Sequence, residues 1–331
     1  SGFINSTGKN ARFFEMADVR REGEPTVLEQ SKVVSKLLPI DLTMAATSKE
    51  NTVILFGSKD KSDIWGYRFF NTGEKRVQSS WFRWEIPGNL VYHAIMDDVY
   101  YTIVKNGSDY TLEAYDVRKQ DDTTLIGTSP DDYKVHLDCH KLIASSGLTY
   151  SSTTNKTTFT KPTGFNSSKQ LAVYVNVTGD NIGRYSTASI NGSNVEITGD
   201  WTGTNLILGY LYEWEVEIPT IYPTKSDGQN TNADIRSSLV IHRVSLTFGA
   251  VGLIETTLKR KGKKDYTTTY ESLIWDNYDA SRIGIANEYT HTIPAYERNT
   301  NLTLHVKSTH PSPATLHALN WEGDYSNRFY R

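Results

Sequence analysis

The sequence predicts an all-β protein, and three observations lead to that prediction. Short runs of β-branched and aromatic residues recur about every ten residues between Asn51 and Arg118. The breaks between these runs supply the glycine, asparagine, aspartate or proline that tight turns need. The sequence contains no long amphipathic helical pattern. Strands at this spacing form meanders of the kind found in propeller blades and sandwiches.

Six strands are predicted in this segment, each closed by a polar turn. They are Thr52–Phe56, Ile64–Phe70, Trp81–Ile86, Leu90–Met96, Val99–Val104 and Tyr110–Val117. The first 50 residues are less regular. Ala11–Met16 is expected to be a strand, while Val33–Leu38 fits either a short helix or a strand that Pro39 stops.

After Arg118 polar stretches interrupt the pattern. Ser145–Lys161 is rich in Ser, Thr and Asn, which predicts a long excursion or a hairpin of weakly defined register. Alternation along Leu206–Glu217 predicts one strand with an almost wholly apolar face. The further predicted strands are Gln170–Thr178, Asn194–Thr198, Ser238–Phe248, Leu253–Lys259, Glu288–Ile293, Asn301–Ser308 and Thr315–Trp321.

The composition is that of an ordinary soluble chain. Charged residues make up 22% and the formal net charge is -3, which argues against a general nucleic-acid binder. A single cysteine, Cys139, excludes an intramolecular disulfide framework. No apolar stretch approaches the about 20 residues that span a bilayer, so we expect no stable membrane insertion. The first residues are Ser1-Gly2 rather than Met, as expected of a processed product or an engineered fragment.

The segment His136-Leu137-Asp138-Cys139-His140 is the nearest approach to a metal-binding cluster. On a helix the two histidines would share a face, and the cysteine or the aspartate could add a ligand. On a strand they would be about 13 Å apart, too far for one ion. Because no second cluster supplies the remaining ligands, we favour a structural role and predict no metal and no cofactor.

A second segment, Glu271–Asp279, mixes carboxylates with aromatic residues as sugar-hydrolysing sites do. Glycosidases need two carboxyl groups about 5 Å or about 6.5–9.5 Å apart, and the candidates here are Glu271, Asp276 and Asp279. The same mixture is common in turns. The chain also lacks a Gly-x-Ser-x-Gly nucleophile motif and a phosphate-binding loop. A carbohydrate-binding or carbohydrate-hydrolysing protein is therefore the alternative hypothesis, and we assign no catalytic residue.

One run of residues concentrates positive charge. It consists of Lys259, Arg260, Lys261, Lys263 and Lys264, with Gly262 at its centre. The glycine predicts a hairpin tip between Ile254–Leu258 and Tyr266–Tyr270. The run could contact phosphates or an acidic partner surface. The alternative, which we favour on sequence alone, is a solvated turn.

Four segments carry a resemblance to a known family. They are Arg76-Val77-Gln78-Ser79-Ser80-Trp81-Phe82-Arg83-Trp84, Leu208-Gly209-Tyr210-Leu211-Tyr212-Glu213-Trp214, Ile241-His242-Arg243-Val244-Ser245-Leu246 and Asn320-Trp321-Glu322-Gly323-Asp324-Tyr325. In this order they resemble segments of the tail nozzle protein, or tail tubular protein B, of short-tailed bacteriophages. The first is similar to its Gln-Ser-x-Trp-x-x-Trp blade and the last to its closing Trp-Glu-Gly-Asn-Tyr signature. The resemblance runs in patches from about Ala11 to Tyr325 and corresponds to the C-terminal part of longer family members.

The resemblance implies a fold of β-propeller blades plus a β-sandwich or barrel-like platform domain. With polar breaks near residues 125 and 220, it predicts propeller blades in residues 1–125 and an inserted β-rich domain in 126–220. Residues 221–331 would be C-terminal strands that return to the propeller or platform. We expect five tryptophans to anchor cores or sheet interfaces, namely Trp65, Trp81, Trp84, Trp214 and Trp321.

The resemblance also implies a virion component rather than an enzyme. Nozzle proteins form a sixfold ring, carry the tail fibres and conduct DNA at infection. The expected partners are further copies of the chain, the tail adaptor protein, the tail fibre protein and, transiently, genomic DNA. The expected location is the tail of the virion, after assembly in the host cytoplasm.

Overall fold

The computed structural model describes residues 2–6, 8–18, 25–46, 52–72, 75–117, 133, 136–177, 182–226, 231–235, 237–272 and 282–326. The prediction of an all-β protein is confirmed, because these residues form twenty-six strands and two single 3₁₀ turns. Within the described ranges, no helix is long and apolar enough to cross a membrane. The chain divides into two compact units, one of residues 1–121 with 162–168 and the other of residues 122–161 with 169–331.

The first unit contains three antiparallel sheets, each of which joins strands that are consecutive in sequence. The first sheet has the order β1-β2-β3, the second β4-β5-β6-β7 and the third β8-β9-β10. Their strands are β1 Gly2–Asn5, β2 Arg12–Asp18, β3 Pro25–Glu29, β4 Leu42–Ala46, β5 Val53–Ser58, β6 Asp63–Thr72, β7 Lys75–Glu85, β8 Asn89–Met96, β9 Val99–Asn106 and β10 Asp109–Asp116.

The second sheet is buried on both faces. Alternate residues of a strand point to opposite faces, and this separates Leu55 from Phe56 on β5. Leu55 lies in a core with Leu90 and Tyr100 of the third sheet. Phe56 lies in a different core with Phe13 of the first sheet. The three sheets therefore form a stack in which the second lies between the first and the third.

The second unit begins with a seven-stranded antiparallel sheet of the order β11-β17-β14-β15-β16-β13-β12. Two of its interior strands, β17 and β14, are buried along their whole length. The strands are β11 Asp138–Ile143, β12 Thr149–Ser151, β13 Lys156–Thr160, β14 Leu171–Val175, β15 Tyr185–Asn191, β16 Asn194–Thr198 and β17 Leu206–Tyr210.

The other described strands of the second unit form a β-sandwich and a two-stranded ribbon, β19-β20. A four-stranded sheet, β18-β25-β22-β23, shares one apolar core with a three-stranded sheet, β24-β21-β26. The strands are β18 Trp214–Ile218, β19 Thr224–Ser226, β20 Thr231–Ala233, β21 Ser238–Val251, β22 Leu253–Arg260, β23 Tyr266–Glu271, β24 Tyr289–Arg298, β25 Leu302–Ser308 and β26 Ala314–Ser326. A sandwich was part of the predicted fold class.

Two local predictions are wrong. Leu206–Glu217 is not one strand, because the chain leaves the seven-stranded sheet after Tyr210 and joins the sandwich at Trp214. Val33–Leu38 is neither a helix nor a strand but lies in a run of turns. Ser145–Lys161 forms a short hairpin, β12 and β13, which was one of the two alternatives. The division of the chain near residues 125 and 220 stays a prediction.

The expected tryptophan anchors are buried to different degrees. Trp65 is buried. Trp81 packs against the core between the first and second sheets, and Trp214 and Trp321 pack against the sandwich core. Trp84 is exposed, so for this residue the expectation is wrong. Trp201, which the sequence did not single out, is buried with its indole nitrogen donating to the Thr198 carbonyl.

Candidate functional site

The basic run lies at the tip of the hairpin that joins β22 to β23. The two strands pair from Leu253 with Glu271 to Leu258 with Tyr266, so the predicted hairpin is present. Gly262 has a φ of +75°, a left-handed conformation that favours glycine. The amide of Lys263 donates to the carbonyl of Arg260 at 3.0 Å and closes the turn. Five cations are thereby gathered at one end of the four-stranded sheet.

Two of these cations are engaged by the protein itself. The ammonium of Lys263 lies 2.8 Å from Oε2 of Glu297 on β24. The hydrogen bond from Lys263, followed by one from the backbone of Arg298, lowers the pKa of the Glu297 carboxyl to about 2. The half-buried Arg260 donates from Nη1 to the carbonyl of Ala295 at 3.4 Å.

The remaining three cations are available to a partner. Lys259, Lys261 and Lys264 are exposed, and within the described ranges no carboxylate lies within ion-pair distance of them. An ammonium group is a point charge that binds a phosphate or a carboxylate without selecting a sequence. The hairpin tip, meaning Lys259–Lys264, can therefore make an electrostatic contact with an anionic partner.

The segment His136–His140 does not lie on a helix. Asp138, Cys139 and His140 begin strand β11, and the register shifts between Asp138 and Lys141. Cys139 has a φ of +51°, and the amide of His136 donates to the carbonyl of Pro311. In the part of the chain that the structure describes, no three His, Cys, Asp or Glu side chains are placed to hold a metal ion.

The acidic and aromatic segment is only partly described. Glu271 is the exposed last residue of β23, opposite Leu253. Ser272, which follows it, is buried and its amide donates to the carbonyl of Gly252. Asp276 and Asp279 lie outside the described residues, so the separation of these carboxyl groups stays open.

The segment Arg76–Trp84 spans most of strand β7 and contributes contacts between the first two sheets. The indole nitrogen of Trp81 donates to the carbonyl of Gln30 at 3.0 Å. Within the second sheet its ring stacks on Phe56 with the centroids 5.4 Å apart, and across to the first sheet it meets the ring of Phe13 edge-on with the centroids 6.3 Å apart. This motif is therefore an anchor between sheets.

Two segments that are far apart in the sequence pair with each other. Ile241–Leu246 on β21 lies antiparallel to Asn320–Tyr325 on β26, with a register shift between Ile241 and Arg243. At this irregularity, Nε2 of His242 lies 3.1 Å from Asp324 and Nε of Arg243 lies 2.9 Å from Glu322.

Gly323 is required at this pairing by close approach. A Cβ atom on Gly323 would lie 2.2 Å from the backbone oxygen of Val240. The sequence showed these segments only as separate motifs, because their pairing joins residues about eighty positions apart.

Comparison with known protein families gives a match over almost the whole chain. The model of the bacteriophage nozzle protein family matches residues 2–331. This chain belongs to the bacteriophage nozzle protein family. It is accordingly a structural component of a phage tail, and its place is in the virion. The nozzle family is structural, which fits a protein that is not an enzyme.

Other comparisons add little to this assignment. No curated protein matches the chain significantly. The exo-β-1,3-galactanase of Phanerochaete chrysosporium, solved with galactose, is 8% identical over 95% of this chain and 93% of that chain, with a TM-score of 0.19. A variant of that enzyme solved with β-1,3-galactotriose gives the same identity and coverage and a TM-score of 0.20. Likenesses this weak carry no argument about the chain.

Proposed function

We propose that this chain forms part of the conduit through which a phage ejects its DNA and part of the platform to which tail fibres attach. The observation that carries the proposal is the match of the nozzle family model to residues 2–331. The stack of three sheets in the first unit supports it, because sheets in a stack resemble successive blades of a propeller. Apolar faces packed on each other also give the rigidity that a conduit needs.

The proposed partners are those of a ring component. Copies of the chain would assemble into a sixfold ring that contacts the tail adaptor protein and the tail fibre protein. Genomic DNA would pass through transiently. The ring would assemble in the host cytoplasm without stable insertion into a membrane, and the chain would need no cofactor.

The charge of the chain is compatible with a conduit. DNA carries one negative charge per about 1.7 Å of helix axis, and each cation that contacts a phosphate adds affinity by counterion release. A strongly basic lumen would therefore retain the DNA. The formal net charge of -3 avoids such retention. The hairpin tip would supply a local contact with phosphates or with an acidic surface of a partner.

We also propose that the chain acts without catalysis. The structural character of the nozzle family supports this proposal. Replacing Asp276 and Asp279 together by Asn gives the test. Hydrolysis of an oligosaccharide by the unchanged protein that is lost in this double variant would overturn the proposal.

The proposed assembly is tested by the mass of the full-length protein in solution and by negative-stain images of the same sample. We expect a sixfold ring with a central hole. A compact monomer at every concentration would overturn the proposal and direct attention to oligosaccharide binding near Glu271.

A further inference from the structure

Two arginines lie directly opposite each other at the start of strand β15. Arg184 immediately precedes this strand, and it forms an isolated antiparallel bridge with Arg282. Residues paired in this way place their side chains on the same face, with Cβ atoms about 4.5–5.5 Å apart, and like charges at such positions repel each other. Guanidinium groups stay protonated in proteins, so the fold places two fixed positive charges side by side.

The segment that carries Arg282 connects the seven-stranded sheet to the sandwich. Further along this segment, Ala286 forms a second isolated bridge, with Val251 at the end of β21. The hydroxyl of Tyr133, which lies in the core against the seven-stranded sheet, donates to the carbonyl of Ile283. Backbone bridges and core packing therefore fix the position of Arg282 beside its neighbour.

Each arginine carries a buried donor nitrogen that has no acceptor. Arg282 is 7% exposed, and its Nε donates to the carbonyl of Ile182 at 2.9 Å. Its Nη1 and the Nε of Arg184 are also buried, and neither has a hydrogen-bond partner among the described residues. A buried charged donor that is left unpaired destabilises the folded state. Two such donors on adjacent side chains indicate a common acceptor.

The described carboxylates do not supply that acceptor. The arginines that form ion pairs within the described ranges do not include Arg184 or Arg282. Hydrogen bonds from Thr202 lower the pKa of the Asp200 carboxyl, and the charge of Arg184 lowers it further. However, Oδ1 of Asp200 already accepts from the amide and the hydroxyl of Thr202, at 3.0 and 2.7 Å. This exposed carboxylate leaves the buried nitrogens unpaired.

Trp201 forms an apolar wall beside the arginine pair. Cζ of Arg184 lies 4.7 Å from the centroid of a Trp201 ring, and this tryptophan is 5% exposed. An aromatic surface orients a guanidinium and leaves the N–H groups at its edge free to donate. Arg184 is half-buried whereas Arg282 is buried, so the pair is open to solvent on the Arg184 side. A small anion can enter from that side.

We propose that Arg184 and Arg282 together bind a phosphate group. Guanidinium groups present pairs of N–H donors whose spacing matches the oxygens of phosphate. A phosphate group carries a charge of about −1.5 to −2 near pH 7 and so neutralises both arginines, whereas a carboxylate would neutralise only one. Because Arg282 is buried, the group is a free ion or the end of a small ester rather than the backbone of a duplex. Bound phosphate joins the start of β15 to the segment that leads into the sandwich.

The test measures phosphate binding to the full chain by isothermal titration calorimetry and by thermal melting, with chloride at equal ionic strength as the reference. At a phosphate concentration of about 100 times the dissociation constant, the melting temperature should rise by roughly 5–10 °C. Phosphate also stabilises folded proteins in general, because it is excluded from their surfaces. The difference between the unchanged protein and its variants is therefore the decisive quantity.

The variants remove one guanidinium at a time. Arg184→Gln should weaken phosphate binding at least tenfold, and Arg184→Lys, which keeps the charge but loses the fork of donors, should lie between. Arg298→Gln is the matched control, because it removes the same charge from an exposed position on β24 of the same unit, and it should bind like the unchanged protein. Arg282→Gln tests the buried partner. If that variant does not fold by circular dichroism, the half-buried Arg184 still decides the result.

Equal rises in melting temperature and equal heats for the unchanged protein, Arg184→Gln and Arg298→Gln would overturn the inference. Acetate that binds as tightly as phosphate would also overturn it. Phosphate binding that appears only after Asp276 and Asp279 are replaced by Asn would assign the arginines to carboxylates of the chain itself, again against the inference. Glucose 6-phosphate separates the two sources of the group. Binding as tight as that of inorganic phosphate supports a site for an ester, and its exclusion supports a site for the free ion.

Discussion

The guanidinium of Arg76 donates two hydrogen bonds to the carboxylate of Glu15, from Nη1 to Oε2 at 2.7 Å and from Nη2 to Oε1 at 3.0 Å. Arg76 lies on β7 and Glu15 on β2, so the pair ties the second sheet to the first. The same Nη1 donates to the hydroxyl of Tyr67 at 2.6 Å, and the guanidinium lies 4.2 Å from the ring centroid of Phe69. The hydrogen bond with Glu15 raises the pKa of Arg76 above its usual value.

Replacement of Arg76 by Gln is expected to lower the free energy of unfolding by about 2 kcal/mol. The change leaves the partly buried carboxylate of Glu15 without its cation. Urea denaturation followed by tryptophan fluorescence measures the loss. Arg83→Gln is the control, because Arg83 is exposed and lies 3.7 Å from Asp63. A surface pair of this kind contributes less than about 1 kcal/mol, so equal losses in the two variants would contradict the prediction.

Gly66 on β6 is expected to tolerate no side chain. A Cβ atom there would lie 2.0 Å from Cζ of Phe82, whose ring covers the glycine. Gly66→Ala should therefore cost about 2 kcal/mol through overpacking, measured as a lower melting temperature. Gly147→Ala, where no atom lies within 4 Å of the added Cβ, is the control.

A second background shows whether the contact with Phe82 causes this loss. In Phe82→Leu, the smaller side chain should reduce the cost of Gly66→Ala. If Gly66→Ala costs as much in the Phe82→Leu background as in the unchanged protein, the clash with the ring is not the reason.

The strands of the third sheet could be predicted from the sequence because their signals are local. Alternation from Asn89 to Met96 and again from Val99 is separated by Asp97 and Asp98, both with positive φ, as a two-residue hairpin turn requires. The division of Leu206–Glu217 could not be predicted in this way. The alternation of side chains in the sequence continues past Tyr210. In the structure, however, one strand that pairs with β14 ends there, and the next strand pairs with β25. Only the distant strands determine where one strand ends.

The partners of polar strand residues could not be predicted for a related reason. Thr157 lies on β13, a strand rich in threonine, and is fully buried. Its hydroxyl donates to the carbonyl of Gly199 at 2.7 Å and accepts from the amide of Trp201 at 3.0 Å. A buried hydroxyl is stable when both of its roles are satisfied. The composition of the segment does not reveal partners more than forty positions away.

The hairpin tip could be predicted, but the state of its cations could not. Gly262 between lysines predicts a turn from sequence neighbours alone. Glu297, which binds Lys263, lies on another strand 34 positions later. Which lysine forms an ion pair with the protein therefore depends on the packing of β24 beside the hairpin.

His310 is expected to make stability depend on pH. Burial lowers the pKa of this imidazole from 6.5 to about 4. Its Nδ1 accepts a hydrogen bond from the amide of Ser312 at 3.0 Å, and its ring packs edge-on against Tyr185 with the centroids 4.6 Å apart. Protonation would remove that acceptor and place a charge among aromatic rings.

The direction of this pH dependence follows from the pKa of His310, which is 6.5 in the unfolded chain and about 4 in the folded chain. The unfolded chain takes up the proton first, so the contribution of His310 is complete above about pH 6.5 and is lost as the pH falls toward about 4. The complete loss of this contribution lowers the free energy of unfolding by about 3 kcal/mol. His310→Asn keeps an acceptor for Ser312, and its urea midpoint should fall less between pH 7 and pH 4.5 than that of the unchanged protein. The urea midpoint of His140→Asn, which replaces an exposed histidine, should fall by as much as that of the unchanged protein. Parallel curves for all three proteins would contradict the role of His310.

Charge at the hairpin tip is expected to determine how strongly the protein holds DNA. Each lysine on a phosphate contributes about 0.9 to the slope of log affinity against log salt concentration. Replacing Lys259, Lys261 and Lys264 together by Gln should therefore reduce that slope by up to about 2.7, with the melting temperature unchanged because the three side chains are exposed. Fluorescence anisotropy with a labelled duplex at several salt concentrations gives the slope.

Lys9, Lys32 and Lys36 provide a matched control, because they are exposed in the first unit and their replacement by Gln changes the net charge equally. Only the hairpin variant should change the slope if the contact is local. Equal changes in the two triple variants would assign the effect to net charge rather than to the hairpin. An unchanged slope in the hairpin variant would exclude phosphate as its partner. The same lysines would then be tested against an acidic protein surface.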